Sequence, residues 1–295
     1  MRGRIRGWGF YMSLIPAIQK DQQLLEDINK YRSDDNRFHL WWLGQSGYLL
    51  QWKGKQVLID PYLSDSLTKK YAATNKPHVR MSERVIDPSL LTDISVVTSS
   101  HNHTDHLDAE TLIPVLKNNP GIRFVIPEAN RTFIAERVKC PENFPDGLND
   151  KEYITIGEFT FHGVPAKHNL IERDESGNCK YMGYVIQFGG WSVYHSGDTL
   201  WFDGMADLLK PFRVDVALLP INGNDPSRGV AGNLDVKEAA QLGKEIKAGI
   251  VIPCHYNMFE FNTADPGDFA IEAKKISQPY TILQHGERWD SGLLS

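Results

Sequence analysis

Three histidines and an aspartate share one short loop, and this loop constrains the fold more than any other part of the sequence. The segment reads Ser99-Ser100-His101-Asn102-His103-Thr104-Asp105-His106-Leu107-Asp108. The apolar run 94–98 before it is typical of a buried strand, and a helical pattern follows it. Where such a segment is extended or turning, His101 and His103 point to one side and can bind one metal ion. Asp105 and His106, further round the turn, can face a second ion.

Two ions so close together need further ligands, and the sequence offers them at the ends of other predicted strands. His168, Asp198 and His255 each follow an apolar, strand-like run. A bare HxHxDH string could be a polar turn that arose by chance, but three more ligand-type residues in matching contexts argue against that interpretation. Imidazole with carboxylate suits zinc, manganese or iron, and no thiolate occupies a ligand position. We therefore predict a centre for one or two divalent ions, with zinc, manganese and iron all compatible with these ligands.

Composition excludes several other classes of protein. The chain has 295 residues, of which 41% are hydrophobic, and a formal net charge of −5. It can bury a sizeable core, which excludes intrinsic disorder as the main state, and no apolar run approaches the ~20 residues of a membrane helix. Mild acidity gives no general phosphate-binding field, so we expect no nucleic-acid partner. The 3 cysteines are widely separated and suit a reducing, cytoplasmic location.

Two groups of predicted strands, each with helices appended, organise the chain. No linker-like stretch interrupts it, so we predict one domain over 1–295 with a helical lead-in over about 1–36. Helices are predicted near 20–34, 129–138, 204–210 and 267–276, and others after Asp108 and Asp235, which can cap them. The predicted strands are 38–43, 48–52, 57–59, 94–98, 124–126, 154–156, 159–164, 183–188, 192–194, 214–219, 250–252 and 281–283. The pattern predicts an α/β fold of two packed sheets covered by helices.

The N-terminal residues combine positive charge with aromatic rings. Glycines interrupt this stretch, which argues against a secretory signal peptide and favours an arm packed on the domain. The patch is too small to make a membrane partner the expectation. Its residues are Arg2, Arg4, Arg6, Trp8, Phe10 and Tyr11.

Four motifs follow one another along most of the chain: HxHxDH, a single His, Ser-Gly-Asp and Pro-x-His. Their order resembles that of the metallo-β-lactamase superfamily. The resemblance implies a four-layer αβ/βα sandwich of two mixed sheets flanked by helices, with the metals at the sheet edges. It also implies two ligand sets joined by a bridging carboxylate. These are His101, His103 and His168 on one metal, Asp105, His106 and His255 on the other, and Asp198 between them.

Within that superfamily the chain is most similar to the L-ascorbate-6-phosphate lactonase group. It is shorter than that group and departs from it over about 62–90. A weaker likeness, through 100–103 and 107–108, is to the phospholipase D enzymes that cleave N-acyl phosphatidylethanolamine. The lactonase resemblance implies manganese, and the wider superfamily implies zinc. The matching segments are Trp41-Trp42-Leu43-Gly44, Tyr194-His195-Ser196-Gly197-Asp198, Val214-Asp215-Val216-Ala217-Leu218, and Val251-Ile252-Pro253-Cys254-His255 running on to Asn262-Thr263-Ala264-Asp265-Pro266.

Such a ligand set favours hydrolysis. Two divalent ions lower the pKa of a bridging water, and the resulting hydroxide can attack an ester-like carbonyl or a phosphorus. Asp105 can orient this nucleophile and carry its proton to the leaving oxygen. Residual positive charge favours a small anionic ester such as a sugar-acid lactone. The alternatives are a phosphodiesterase of the N-acyl phosphatidylethanolamine or nucleotide type, and a metal-bound scaffold, which would need no open metal position.

Candidate substrate-binding residues lie in two places. Arg228 follows a buried strand and could clamp a phosphate or carboxylate, with Asn222 and Asn224 as neutral donors. An ordinary turn with a solvated arginine is an equal alternative, because Asn-Gly and Asp-Pro form turns. Tyr256, directly after His255, is a further candidate for the pocket wall.

Other polar residues could support the ligands. Asp60 and Thr199 could hydrogen-bond to ligand imidazoles, and His195 is expected to support the site rather than to bind metal. The expected partners are the small anionic substrate and further copies of the chain in a homo-oligomer.

Overall fold

Two β-sheets pack face to face at the centre of the computed structural model, which describes residues 13–294. The predicted N-terminal arm, with Arg2 and Trp8, lies outside the described residues. In the described part of the chain the first sheet has seven strands, in the order β13-β1-β2-β3-β4-β5-β6. These are β1 (His39–Gly44), β2 (Gly47–Trp52), β3 (Lys55–Ile59), β4 (Ile94–Thr98), β5 (Arg123–Pro127), β6 (Asp146–Leu148) and β13 (Arg288–Asp290).

The second sheet has six strands over the same described range, in the order β12-β11-β10-β9-β8-β7. Strands β3 to β6 run parallel, as do β10 to β12, whereas the other pairs are antiparallel, so both sheets are mixed. The strands are β7 (Tyr153–Ile156), β8 (Phe159–Pro165), β9 (Met182–Phe188), β10 (Trp191–His195), β11 (Val216–Pro220) and β12 (Ile250–Cys254).

Helices cover the outer faces of both sheets. Leu24 and Leu112 pack with Trp41 on the outside of the first sheet, while Leu242 and Phe269 pack beside the second. Seven α-helices occur between residues 13 and 294, and none is long and apolar enough to cross a membrane. They are α1 (Gln22–Lys30), α2 (Ser66–Tyr71), α3 (Ala109–Asn118), α4 (Arg131–Val138), α5 (Met205–Leu209), α6 (Val236–Glu245) and α7 (Pro266–Lys275).

Strand β1 shows why the sequence specifies this sandwich. All its residues are buried, as expected for a strand covered on both faces. Because side chains alternate across a strand, Trp42 packs between the sheets and Trp41 packs beneath the helices. The two mixed sheets with flanking helices confirm the predicted fold class.

The predicted strand at 281–283 is wrong. Residues 281–283 belong to no strand, and Tyr280 directly before them forms only an isolated bridge to Val251. The edge strand of the first sheet is instead β13, whose Trp289 pairs with Leu40 of β1. Strand β6 and helix α2 are further elements that the sequence pattern does not predict.

Candidate metal centre

All seven predicted ligands meet at one edge of the sandwich, where loops leave the carboxyl ends of strands. The loop after β4 carries His101, and those after β8, β10 and β12 carry His168, Asp198 and His255. Strands β10 to β12 are parallel and in register, so their following loops lie side by side. Gly197 makes the turn before Asp198 with φ of +60°, and a Cβ there would lie 2.6 Å from the carbonyl oxygen of Met182.

The first group consists of three imidazoles, those of His101, His103 and His168, whose ligand atoms all lie within 4.8 Å of one another. His168 Nε2 is 3.0 Å from His103 Nδ1. Burial, more than the neighbouring histidines, lowers the pKa of His101 well below its ordinary value, and burial brings that of His168 to about 4. Neutral imidazole is the form that binds a metal ion.

The second group consists of Asp105, His106, Asp198 and His255, again with ligand atoms within 4.8 Å of one another. His106 Nε2 lies 3.1 Å from Asp198 Oδ1, and His255 Nε2 lies 3.6 Å from both Asp105 Oδ2 and Asp198 Oδ2. Asp198 Oδ2 is also 3.9 Å from His168 Nε2 in the first group. Asp198 therefore lies between the two groups, as a bridging carboxylate would.

The charges in the second group suit a cation. Burial lowers the pKa of His255, but Asp198 and Asp105 outweigh it and raise that pKa to about 9. Burial tends to raise the pKa of Asp105, but the nearby His106 and His255 outweigh burial and lower it. Protons on the histidines thus balance the two carboxylates, and a divalent ion could replace those protons.

Buried atoms without hydrogen-bond partners indicate that the residues fit metal ions. Among the described residues, His101 Nε2 is buried with no hydrogen-bond partner; His106 Nε2 and Asp198 Oδ1 are also buried and, although they lie 3.1 Å apart, form no hydrogen bond with each other or with another group. Buried polar atoms normally find such a partner. Each belongs to a predicted ligand and lies within one of the two groups. An ion in each group would satisfy them.

Asp60 supports the site from the end of β3. Its carboxylate accepts hydrogen bonds from His106 Nδ1 at 2.8 Å, from Thr98 Oγ1 at 2.9 Å and from the Ser100 backbone N–H at 3.0 Å. The contact with His106 is the one that the sequence predicts for Asp60. It leaves His106 Nε2 facing the second group, which is how a carboxylate orients an imidazole ligand.

The two other predicted supporting residues act on the backbone. His195 Nε2 donates to the Ser46 carbonyl at 2.9 Å, and its Nδ1 accepts from the Gly197 N–H at 3.3 Å. Thr199 does not bond to an imidazole. Its hydroxyl accepts from the Lys167 N–H at 3.0 Å and so holds the residue before His168.

One residue at the site was missed by the sequence analysis. Gln45 lies in the β1–β2 turn with φ of +52°, and its Nε2 donates to Asp105 Oδ2 at 2.8 Å. The same nitrogen is 2.9 Å from His255 Nε2. No local pattern marks this glutamine, because only tertiary packing brings the turn to the second group.

A cavity of about 410 Å³ opens above both groups. Lys70 and Arg137 give its wall positive charge, and Arg137 also donates to the Asn102 carbonyl at 2.8 Å within the histidine loop. Aromatic side chains form much of the remaining wall. These are Tyr71, His78, Tyr181, Phe259 and Phe261, among which His78 stacks on Tyr71 with ring centroids 4.3 Å apart.

The structure places the four predicted substrate-binding residues outside the wall of this cavity. The Arg228 guanidinium donates to the Asn222 carbonyl and to Asn262 Oδ1, so it holds its own loop. The Asn222 amide pairs with Asn262 and Asn233, and the Asn224 side chain lies against Gly232. Tyr256 is buried and donates its hydroxyl to the Leu283 carbonyl. For Arg228 these contacts are those of the turn interpretation, and substrate binding by the four residues stays a prediction.

Comparison with known proteins gives consistent matches over most of the chain. A sequence model described as "Beta-lactamase superfamily domain" matches residues 39–255. The chain is 31% identical over 252 residues to a protein of Methanosarcina mazei and 32% identical over 256 residues to one of Archaeoglobus fulgidus. Both are described as UPF0173 metal-dependent hydrolases. The alignments cover 83% and 84% of this chain and 95% and 97% of those proteins.

Solved structures share the fold at lower identity. Igni18, a metallo hydrolase from Ignicoccus hospitalis, superposes with a TM-score of 0.63 at 22% identity, covering 86% of this chain and 98% of that one. An isothiocyanate hydrolase from Delia radicum gut bacteria gives a TM-score of 0.67 at 18% identity, covering 85% and 98%. At these identities the likeness extends to the fold alone.

Proposed function

Because the chain belongs to the metallo-β-lactamase superfamily of metal-dependent hydrolases, we propose that it hydrolyses a small anionic ester, and specifically a sugar-acid lactone. The observation that carries the proposal is the position of Asp198 between two groups of ligand atoms at the base of a cavity lined by Lys70 and Arg137. His101, His103, His168 and Asp198 would hold one ion; Asp105, His106, His255 and Asp198 would hold the other. When bound, such ions polarise a carbonyl and bring the pKa of water toward neutrality.

The chain's own residues then bind the substrate and move a proton. Asp105 lines the cavity beside the second group, so its carboxylate can take a proton from the attacking water and return it to the leaving oxygen. Lys70 and Arg137 can pair with a carboxylate or phosphate of the substrate. Tyr71, Phe259 and the other aromatic residues of the wall can pack against a ring and exclude water.

The region that forms this wall is where the sequence departs from the ascorbate-6-phosphate lactonase group. Helix α2 and the segment after it, within 62–90, contribute Lys70, Tyr71 and His78 to the cavity. Because this part of the cavity wall differs from that of the lactonase group, it supports a different lactone as substrate. The anionic group of that lactone would lie near Lys70.

A substrate panel tests the proposal. Protein loaded with manganese or zinc should open a phosphorylated sugar lactone and should cleave bis-p-nitrophenyl phosphate poorly. Lys70→Met should raise KM for the anionic lactone about tenfold, the worth of one charged hydrogen bond, and leave KM for a neutral lactone unchanged. Lys69→Met is the matched control, because Lys69 pairs with Glu110 at 2.8 Å and does not line the cavity.

Two results would overturn the proposal. Efficient cleavage of the phosphodiester with slow lactone opening would favour the phosphodiesterase alternative at the same centre. Asp198→Ala should abolish metal uptake and turnover together, so a variant that kept both would contradict the assignment of the metal ligands.

A further inference from the structure

Gln45 occupies the second group without a role in the ligand set inferred from sequence. Its side chain is 1% exposed, and its Nε2 lies 2.8 Å from Asp105 Oδ2 and 2.9 Å from His255 Nε2. Its other polar atom, Oε1, is buried and has no hydrogen-bond partner among the described residues. A buried carboxamide with an unsatisfied oxygen is costly unless something else pairs with it.

The backbone holds this carboxamide in place. Gln45 has φ of +52°, a conformation that is strained for a residue with a Cβ. Its carbonyl accepts a hydrogen bond from the His255 N–H at 3.0 Å, and also from Trp42 Nε1 at 3.0 Å. The turn that carries Gln45 is therefore fixed directly to one of the ligand residues.

The distances around Gln45 match those between ligands of one ion. Atoms bound at about 2.1 Å to the same ion lie roughly 3.0–3.4 Å apart in octahedral or tetrahedral geometry. Gln45 Nε2 lies slightly closer than that spacing to Asp105 Oδ2, at 2.8 Å, and to His255 Nε2, at 2.9 Å. Asp105 Oδ2 and His255 Nε2 lie 3.6 Å apart. All three side chains thus converge on the same small volume.

We propose that Gln45 is a further ligand of the second ion, bound through its carboxamide oxygen. A half-turn of the carboxamide exchanges Nε2 and Oε1 without changing its shape. When Asp105 and His255 direct their lone pairs at a cation, the amide oxygen of Gln45 is the end of the carboxamide that can also bind that cation. Binding would give this oxygen the partner that it lacks. The proposal rests on the proposed two-ion function and extends it.

A carboxamide ligand makes the two groups chemically different. The second group would offer three oxygen donors, from Asp105, Asp198 and Gln45, besides two imidazoles. The first group offers three imidazoles, to which only Asp198, 3.9 Å from His168 Nε2, would add an oxygen. Oxygen donors suit manganese better than they suit softer ions, so Gln45 should bias the second group toward manganese.

Metal stoichiometry and affinity test the proposal without reference to activity. Metal-free protein is titrated with Mn²⁺ alone, and bound ion is counted by elemental analysis after equilibrium dialysis. The wild type should bind two ions, whereas Gln45→Leu should keep the first and bind the second at least tenfold more weakly. Gln51→Leu is the matched control, because Gln51 is equally buried but donates to the Ile28 carbonyl on the helix side of the first sheet.

Gln45→Glu distinguishes an oxygen ligand from an N–H donor. Glutamate supplies an oxygen but no N–H, so the second Mn²⁺ should bind as tightly as in the wild type or more tightly; weaker binding would overturn the proposal, even if Gln45→Leu does not fold. A Gln45→Leu protein that binds both ions with wild-type affinity would also overturn it. A wild type that never takes up a second ion would refute the two-ion centre itself, and Gln45 as its ligand.

Discussion

Asp60 illustrates how one buried residue can organise a site that it does not enter. Its carboxylate is fully buried, and donors from β4, from the loop after it and from His106 surround it. Burial raises its pKa, but the charges of His195 and His106 outweigh burial and lower it. The ionised carboxylate thus fixes which nitrogen of His106 faces the metal groups.

Asp60→Asn should weaken metal binding about 10- to 100-fold, the usual effect of removing a carboxylate that orients a histidine ligand. Asparagine keeps the shape and one acceptor oxygen, so the fold should survive. Equilibrium titration with Mn²⁺ or Zn²⁺ measures the change. Asp34→Asn is the control, since Asp34 lies 3.2 Å from His39 in a similar pair remote from the site. Unchanged affinity in Asp60→Asn would show that His106 needs no such support.

At the scale of elements, helix α3 links the histidine loop to the rest of the first sheet. Asp108 caps the helix by accepting from the Thr111 N–H at 3.1 Å, and it accepts from Ser66 Oγ of α2 at 2.9 Å. It lies two residues after His106. The cap therefore fixes the end of the loop that carries the ligands, and also the position of α2 at the cavity wall.

Asp108→Ala should cost about 1–2 kcal/mol in the free energy of unfolding, the typical worth of an N-cap. It should also weaken metal binding, because the loop before the helix loses its anchor. Asp235→Ala provides the comparison, since Asp235 caps α6 in a capping box and, unlike Asp108, ends a loop that carries no predicted ligand. Urea unfolding of metal-free protein should give similar losses for both variants, and metal titration should separate them. Equal metal affinities would mean that the loop holds its geometry without the cap.

Local sequence patterns predicted the elements whose structure is encoded locally. Strand β4 begins and ends at the predicted residues, and the caps Asp108 and Asp235 start the predicted helices. Strand β13 escaped prediction because its three residues, Arg288 to Asp290, are too few for alternation to identify a strand, and only pairing with β1 makes them one. Helix α2 has only six residues, too few to show a helical repeat, and its N-cap residue Asp65 makes no side-chain cap hydrogen bond.

The residues of the site also divide into those that local sequence patterns predict and those that only tertiary packing brings there. The histidine motif is contiguous, and His168, Asp198 and His255 follow recognisable strands, so the sequence alone brought them into one hypothesis. Gln45, Lys70 and Arg137 come from a turn and two helices that reach the site only through tertiary packing. Arg228 was predicted for the pocket because its charge suited a substrate, but its guanidinium bonds to its own loop.

At the scale of the whole molecule, the candidate centre joins the two sheets. The loop after β4 in the first sheet supplies four of the seven ligand-type side chains, and the second sheet supplies His168, Asp198 and His255. Each group contains residues from both sheets. Ions bound there would therefore hold the halves of the sandwich together at that edge, where buried unpaired atoms would otherwise face one another.

Metal removal should therefore lower the thermal stability of the entire sandwich. Binding to the native state alone adds about 2.7 kcal/mol per site when the free ion exceeds its Kd a hundredfold, which corresponds to a fall in Tm of roughly 5 °C or more on chelation. Scanning calorimetry of metal-loaded and chelator-treated protein measures the shift, and near-native circular dichroism of the treated protein would show that it starts folded. Asp198→Ala, which removes the carboxylate common to both groups, should abolish most of the metal-dependent shift. Identical Tm values with and without metal in the wild type would mean that the ions do not join the sheets.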